Sequence, residues 1–154
     1  MIRRLALTLS LALTLGACAT TPSTSAELTH EERIEAALVK PQVGGYCPVA
    51  YVDANSPVKG RPEHAVTTQD GVFWFVNADA EAAYIKNSGR YQIPFLNYDP
   101  VALASGEVRY ADPTVYAVYS GKIYLFADVA SRDAFISDAE NTIIGAHTFF
   151  ATFE

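Results

Sequence analysis

Apolar and polar residues follow the same order twice along the chain, in two segments about fifty residues apart. Each segment has a run of β-favouring residues, a turn with glycine, and a second run rich in aromatic residues. The turns are Asp70-Gly71 and Ser120-Gly121, and the aromatic runs are residues 72–75 and 122–126. Because glycine accepts the backbone conformation of a tight turn, each segment predicts a β-hairpin.

A helix is predicted after each hairpin. Asn77 and Asp128 are residue types that cap helix N-termini, and they precede helices predicted over residues 78–86 and 129–137. One unit of about fifty residues rarely buries enough apolar surface to fold alone. We therefore expect an α+β fold in which two repeated β-hairpin–helix units pack with pseudo-twofold symmetry and share one core.

The regions on either side of the repeats predict further elements. Thr29 and Glu32 have the spacing of a helix capping box, which predicts a short helix before the repeats. Ile143, Ile144 and residues 148–153 are rich in β-branched and aromatic side chains, which favours a final β-strand.

The first residues of the chain are typical of an exported protein. Arg3 and Arg4 precede an apolar run over residues 5–16, a pattern of secretory signals that is shorter than the ~20 residues of a transmembrane helix. The small residues before Cys18 resemble the cleavage site of bacterial lipoproteins, which implies that Cys18 becomes the first residue and carries lipid. An ordinary cleaved signal with a chance cysteine is the alternative. Since Ala19 rather than aspartate follows, the resemblance favours an outer-membrane lipoprotein facing the periplasm.

These patterns divide the chain into five predicted segments. They are a signal peptide (1–17), a lipidated flexible tether (18–28), an N-terminal helix and linker (29–43), a first repeat (44–95), and a second repeat with a C-terminal strand (96–154). The tether is predicted from its Thr, Ser and Pro content, which cannot form a packed core.

Charge narrows the set of partners. Of the 11 Lys and Arg residues, two lie in the predicted signal, which leaves nine against 17 Asp and Glu. A net-acidic protein lacks the positive surface that nucleic acid requires, so we expect no nucleic-acid partner. The same charge argues against electrostatic docking on anionic lipid, so the lipid on Cys18 would hold the protein to the membrane by itself.

Short motifs recur at equivalent places in the two segments. They are Gly45-Tyr46-Cys47-Pro48-Val49 and residues 71–75 in the first copy, and Tyr98-Asp99-Pro100-Val101-Ala102, residues 121–126 and residues 132–135 in the second. Together they resemble the YHS domain family over nearly all of residues 44–140. Members of that family are small hairpin–helix modules; some use cysteines and look like metal-handling units, whereas others carry aspartate at that position without a clear metal role. This sequence combines both kinds, with Cys47 in the first copy and Asp99 in the second, and the resemblance implies a metal-handling role through Cys47.

Cys47 is the residue around which a metal site would be built. With Cys18 lipidated it is a lone thiol, and His64 and His147 are the imidazoles that would join it, with Asp99 through the internal symmetry. Thiolate and imidazole are ligands of copper and zinc, so a copper or zinc ion is the candidate cofactor. The alternative is that Cys47 is a small buried core residue.

No catalytic residues are assigned. A pair formed by Cys47 and His64 would have no third orienting group and no local signature of a nucleophilic enzyme. We therefore predict a protein without enzymatic activity.

The aromatic strands also predict a binding groove. Trp74 and Tyr124 lie on equivalent strands, and a groove between two facing hairpins would take a small apolar ligand or a partner peptide. The sequence thus predicts a membrane-anchored, non-enzymatic binding module, with metal handling as its leading specific version. A structural lipoprotein that contacts an envelope protein and has no metal site is the alternative.

Overall fold

The computed structural model describes residues 40–152 of the 154-residue chain, and these residues form an α+β fold. The predicted signal peptide, the lipid on Cys18, the tether and the helix expected after Thr29 lie outside the described residues. None of the helices between residues 40 and 152 has the length and apolar character needed to cross a bilayer. The elements, in chain order, are α1 (Pro48–Asp53), β1 (Arg61–Thr68), β2 (Gly71–Phe75), α2 (Ala78–Lys86), α3 (Pro100–Ala104), β3 (Asp112–Tyr119), β4 (Lys122–Phe126), α4 (Val129–Ser137) and α5 (Ala139–Phe150).

The two predicted hairpins are confirmed. Strand β1 pairs antiparallel with β2, and β3 pairs antiparallel with β4, so that each repeat has its own two-stranded sheet. The register slips in the same place in both: between Arg61 and Ala65 in the first hairpin, and between Asp112 and Tyr116 in the second. This shared irregularity shows that the two units repeat in backbone detail as well as in sequence.

The helix after each hairpin begins and ends where the sequence predicts. Asn77 caps α2 by accepting a hydrogen bond of 2.9 Å from the backbone N–H of Ala80. Asp128 caps α4 in the same way, at 2.8 Å from the N–H of Ser131. In each case the side chain satisfies a donor that the first turn of a helix leaves unpaired.

The short helix at the start of each repeat was not predicted. Helix α1 begins at Pro48 and helix α3 at Pro100. Proline suits the first turn of a helix because its missing N–H would have no partner there and its φ is already helical. The signal was present in the sequence, but helices of six and five residues leave no periodic pattern to detect.

The C-terminal strand expected within residues 143–153 is wrong, because residues Ala139–Phe150 form helix α5. The residues of α5 that pack in or against the core are Ala139, Ile143, Ala146, Phe149 and Phe150. They recur at intervals of three and four residues, which is helical spacing rather than the alternation of a strand. Packing of this face outweighed the local β propensity of the sequence.

The apolar side chains form two clusters that meet at β4. Ile123 and Leu125 are buried in the first cluster with residues of the first repeat, whereas Tyr124 and Phe126 are buried in the second. Because neighbouring residues of a strand point to opposite faces, β4 is covered on both sides. We expected one shared core, and the structure has two clusters that share one strand.

Polar contacts also join the repeats. The hydroxyl of the fully buried Tyr51 donates to the carbonyl of Pro113 at 2.7 Å, and its ring lies 4.9 Å from that of Tyr116. The N–H of Ile123 donates to the carbonyl of Gln92 at 2.9 Å. This bond fixes the start of β4 against the linker between the repeats, which is the segment of residues 87–99 that connects α2 to α3.

Candidate functional site

Cys47 and Asp99 occupy equivalent positions. Each is the residue before a short helix, each is fully buried, and each donates its backbone N–H to a carbonyl 2.9 Å away, that of Val58 for Cys47 and that of Arg109 for Asp99. The backbone around the candidate metal ligand is therefore the same as that around a buried aspartate.

Asp99 uses its carboxylate to hold the second repeat together. One oxygen accepts from the N–H of Val101 at 2.8 Å, which caps α3. The other accepts from the N–H of Ala127 at 2.9 Å and from the hydroxyl of Ser131 at 2.6 Å. A buried carboxylate is tolerated when donors surround it in this way.

Cys47 belongs to an apolar version of the same arrangement. Its side chain makes no capping hydrogen bond, and it lies in the first core cluster together with Tyr51 and Phe75. The position that corresponds to Ser131 is the buried Ala80, so the hydroxyl that pairs with Asp99 has no counterpart beside Cys47. This environment matches the alternative interpretation of Cys47 as a small core residue.

The two candidate imidazoles have other neighbours. Nδ1 of His64 lies 3.3 Å from a carboxylate oxygen of Glu81, between β1 and α2. The ring of His147, on α5, lies 4.7 Å from that of Phe95. Across residues 40–152 the structure brings together no group of three or more His, Cys, Asp or Glu side chains that could hold a metal ion.

The aromatic residues of the predicted groove are packed in different places. Tyr124 is 3% exposed, and its ring lies 4.8 Å from that of Phe135 in the second cluster. Trp74 lies against Gly45, where a Cβ atom would come within 2.8 Å of the indole ring. Its buried Nε1 has no hydrogen-bond partner in the structure. Neither residue lines the cleft beside the first hairpin.

That cleft lies between the first hairpin and the linker to the second repeat, and its volume is about 610 Å³. Its floor is formed by Phe73, Tyr84 and Tyr91. These aromatic side chains make the floor largely apolar, and each of them is at least nine-tenths buried. Its rim is polar and exposed, with Asp70 from the first hairpin and Lys122 from the second. His147 also lines it.

Electrostatic effects mark the interior of the cleft. Burial, followed by the nearby charge of Asp70, raises the pKa of Tyr84 above its ordinary value. Burial also raises the pKa of Tyr91, and a 2.9 Å hydrogen bond from its hydroxyl to Asp53 adds to that effect. Both phenols therefore stay neutral hydrogen-bonding groups at ordinary pH.

A second recess, of about 450 Å³, lies beside the stacked rings of Tyr98 and Tyr110, which are 5.3 Å apart. Its amide groups are already used inside the protein. Asn97 accepts from the N–H of Val43 at 2.7 Å and donates to the side chain of Gln42. Because its polar groups are committed, this recess is a poorer candidate than the larger cleft.

Of the candidate site residues predicted from the sequence, only His147 lines the larger cleft, and it was predicted as a metal ligand. Asp70 was read as a turn residue and Lys122 as the start of a strand. Comparisons of the chain with family models, with curated proteins and with solved structures found no match. The YHS resemblance therefore stays a prediction, and function has to be argued from the chain's own residues.

Proposed function

We propose that the protein is a membrane-anchored envelope lipoprotein that acts as a non-enzymatic binding module and takes a small ligand into the cleft between its repeats. The observation that carries this proposal is the cleft itself, with an apolar floor and separate charged groups at its rim. The anchor is supported by the signal-like start of the chain and by the small residues that precede Cys18.

The dimensions and chemistry of the cleft support the binding role. Ligand sites in proteins commonly enclose about 300–1,000 Å³ and combine an apolar lining with a few convergent polar groups. The cleft has about 610 Å³, and residues from both repeats contribute to it. A ligand held there would contact the rigid hairpins and the linker at once, which favours specific binding.

The donor arrangement does not favour the metal-handling version of this function. Cys47 is fully buried in an apolar cluster, and its counterpart Asp99 is occupied by hydrogen bonds. His64 lies beside Glu81 and His147 lies in the cleft. A copper or zinc role for Cys47 stays a prediction, and it is tested separately below.

The proposal is tested by closing the cleft. A Cβ atom on Gly89, at the rim, would meet only Asn87, at 3.7 Å, so that Gly89→Trp has room to place a ring over the cleft. The matched control is Ala82→Trp, on the exposed face of α2 and outside the cleft. Both variants and the unchanged chain would be screened by thermal shift against small acids, amines, peptides and sugars.

We expect at least one class of compound to raise the melting temperature of the unchanged chain and of Ala82→Trp, but not that of Gly89→Trp. A ligand stabilises a protein by binding its folded state, so the shift reports binding directly. The proposal fails if no class stabilises the unchanged chain, or if Gly89→Trp responds as fully as the control.

A further inference from the structure

We propose that the ligand of the cleft is a short peptide with free amino and carboxyl termini and at least one apolar side chain. This inference rests on the proposed function and names its ligand class. It is carried by the charges at the rim, the apolar floor between them, and two amide side chains placed beside them.

The rim carries one charge of each sign, on different repeats. Asp70 lies in the turn of the first hairpin and Lys122 at the start of β4 in the second, and both side chains are exposed. Within the described part of the chain neither side chain takes part in an ion pair or a side-chain hydrogen bond. A zwitterionic ligand would satisfy both, with its ammonium on Asp70 and its carboxylate on Lys122.

The cleft that carries these charges also offers apolar surface. Phe73 forms part of the buried floor, and Ile85 on one wall is 64% exposed. An apolar group laid between them would remove the surface of Ile85 from water, which is favourable in proportion to the area covered. The volume of about 610 Å³ exceeds what a single amino acid fills. A peptide of several residues uses that volume, and a free amino acid does not.

Two amide side chains complete the match to a peptide. Gln69 and Gln92 line the same cleft and are exposed, and among residues 40–152 their side chains make no hydrogen bond. A glutamine amide both donates and accepts, as a peptide bond does, so each can pair with the backbone of a bound peptide. An amphipathic acid would use Lys122 alone and leave its apolar part facing Asp70.

The experiment uses the whole chain in detergent and titrates tripeptides by calorimetry. The probes are Ala-Xaa-Ala peptides in which Xaa is Ala, Leu, Phe or Lys, each in four forms: free, N-acetylated, C-amidated and doubly blocked. The protein variants are Asp70→Asn and Lys122→Gln, which remove the charge and leave a neutral polar side chain. Their controls are Asp79→Asn and Lys86→Gln, which remove charges outside the cleft.

We expect the free Leu and Phe peptides to bind, and each blocked terminus to weaken binding about five- to tenfold, as the loss of a partly exposed charged contact does. Lys122→Gln should weaken free peptides by the same factor while leaving C-amidated peptides unaffected. Asp70→Asn should weaken the binding of free peptides by the same factor and leave the binding of N-acetylated peptides unaffected. The two controls should bind all forms as the unchanged chain does.

Two results would overturn the inference and leave the proposed function standing. One is that acids, amines or sugars stabilise the chain whereas none of the tripeptides binds. The other is that peptides bind equally well in free and doubly blocked form. If no compound of any class binds, the proposed function itself fails.

Discussion

The hydroxyl of Ser131 donates to the carboxylate of Asp99 at 2.6 Å, and the same two positions in the first repeat hold Ala80 and Cys47. The second repeat therefore has a polar pair at these two positions, and the first repeat has an apolar pair. Neither repeat combines one polar member with one apolar member. Each combination is self-consistent, since an aspartate without its donors or a serine without its acceptor would leave a buried polar group unsatisfied.

Breaking the polar pair should cost more than removing it whole. We expect Asp99→Cys to lower the free energy of unfolding by about 3 kcal/mol, because four donors lose their acceptor. Adding Ser131→Ala should recover about 1 kcal/mol of that loss, because the orphaned hydroxyl is gone. Urea unfolding followed by circular dichroism measures both. Equal stability of the single and double variants would show that the two side chains are not coupled.

The thiol of Cys47 should be inaccessible in the folded protein. Its side chain is fully buried in the first cluster, so a thiol reagent can reach it only when the fold opens. In protein that begins after Cys18, we expect no reaction over minutes in native buffer and one thiol titrated per chain in denaturant. Cys47→Ala is the control for any other reactive group.

The same preparation tests the metal prediction. The protein would be titrated with cuprous and zinc ions, and so would Cys47→Ser. We expect the unchanged chain to show no stoichiometric binding that is lost in the variant. Rapid reaction of the native thiol, together with such binding, would contradict our interpretation of Cys47 and support a metal site there.

Alkaline pH should destabilise the fold through Tyr51. Burial is the main cause that raises the pKa of this phenol above its ordinary value of 10.0. The contribution of the neutral Tyr51 phenol to the free energy of unfolding is therefore complete below about pH 10, where the phenol is neutral in the folded and unfolded chains alike. That contribution is lost as the pH rises further. Burial also raises the pKa of four other tyrosines, namely Tyr84, Tyr91, Tyr98 and Tyr124.

The matched variant is Tyr51→Phe, which keeps the ring and removes the hydroxyl that donates to Pro113. We expect it to cost about 1 kcal/mol at neutral pH for the lost hydrogen bond. Its stability should then fall less steeply above about pH 10 than that of the unchanged chain. Urea midpoints measured across that range make the comparison. Parallel curves would show that Tyr51 does not contribute to the alkaline loss.

Gly60 marks a close approach of two backbone segments. A Cβ atom there would lie 2.5 Å from the backbone carbonyl of Trp74, which no small side-chain movement can relieve. We expect Gly60→Ala to lower the free energy of unfolding by about 1–3 kcal/mol, as overpacking does. Gly89→Ala is the control, because a Cβ atom there makes only an ordinary contact. Thermal unfolding of the two variants decides, and a Gly60→Ala protein as stable as the control would contradict the geometry.

Local signals made the hairpins and the helix after each of them predictable. Glycine in the turns, and Asn77 and Asp128 at the caps, act within a few residues of one another. The C-terminal helix was missed because its β-branched and aromatic residues favour a strand locally. One side of this helix packs in the second apolar cluster, which exists only in the folded second repeat, and that packing determines the structure of the segment. Composition misled there, and spacing would have given the right answer.

The candidate site was hidden from the sequence for a similar reason. Asp70, Lys122 and His147 are separated by long stretches of chain, and each has an ordinary local role in a turn, a strand or a helix. Only the packing of one repeat on the other places them around a single cleft. Trp74 and Tyr124, which the pattern predicted to line a groove, do lie on strands. Trp74 packs against Gly45 and Tyr124 packs in the second cluster, so neither lines the cleft.

The two-sided burial of β4 sets the order in which this protein can be completed during synthesis. Leu125 closes the core around Val43, about eighty residues earlier in the chain. The first repeat, although it leaves the ribosome first, therefore stays open until the second hairpin has emerged. A chain cut between residues 95 and 96 would leave its first half with an uncovered apolar face, exposed to proteases and to aggregation. The two repeats share one sequence pattern, yet the first depends on Ile123 and Leu125 of the second to complete its core.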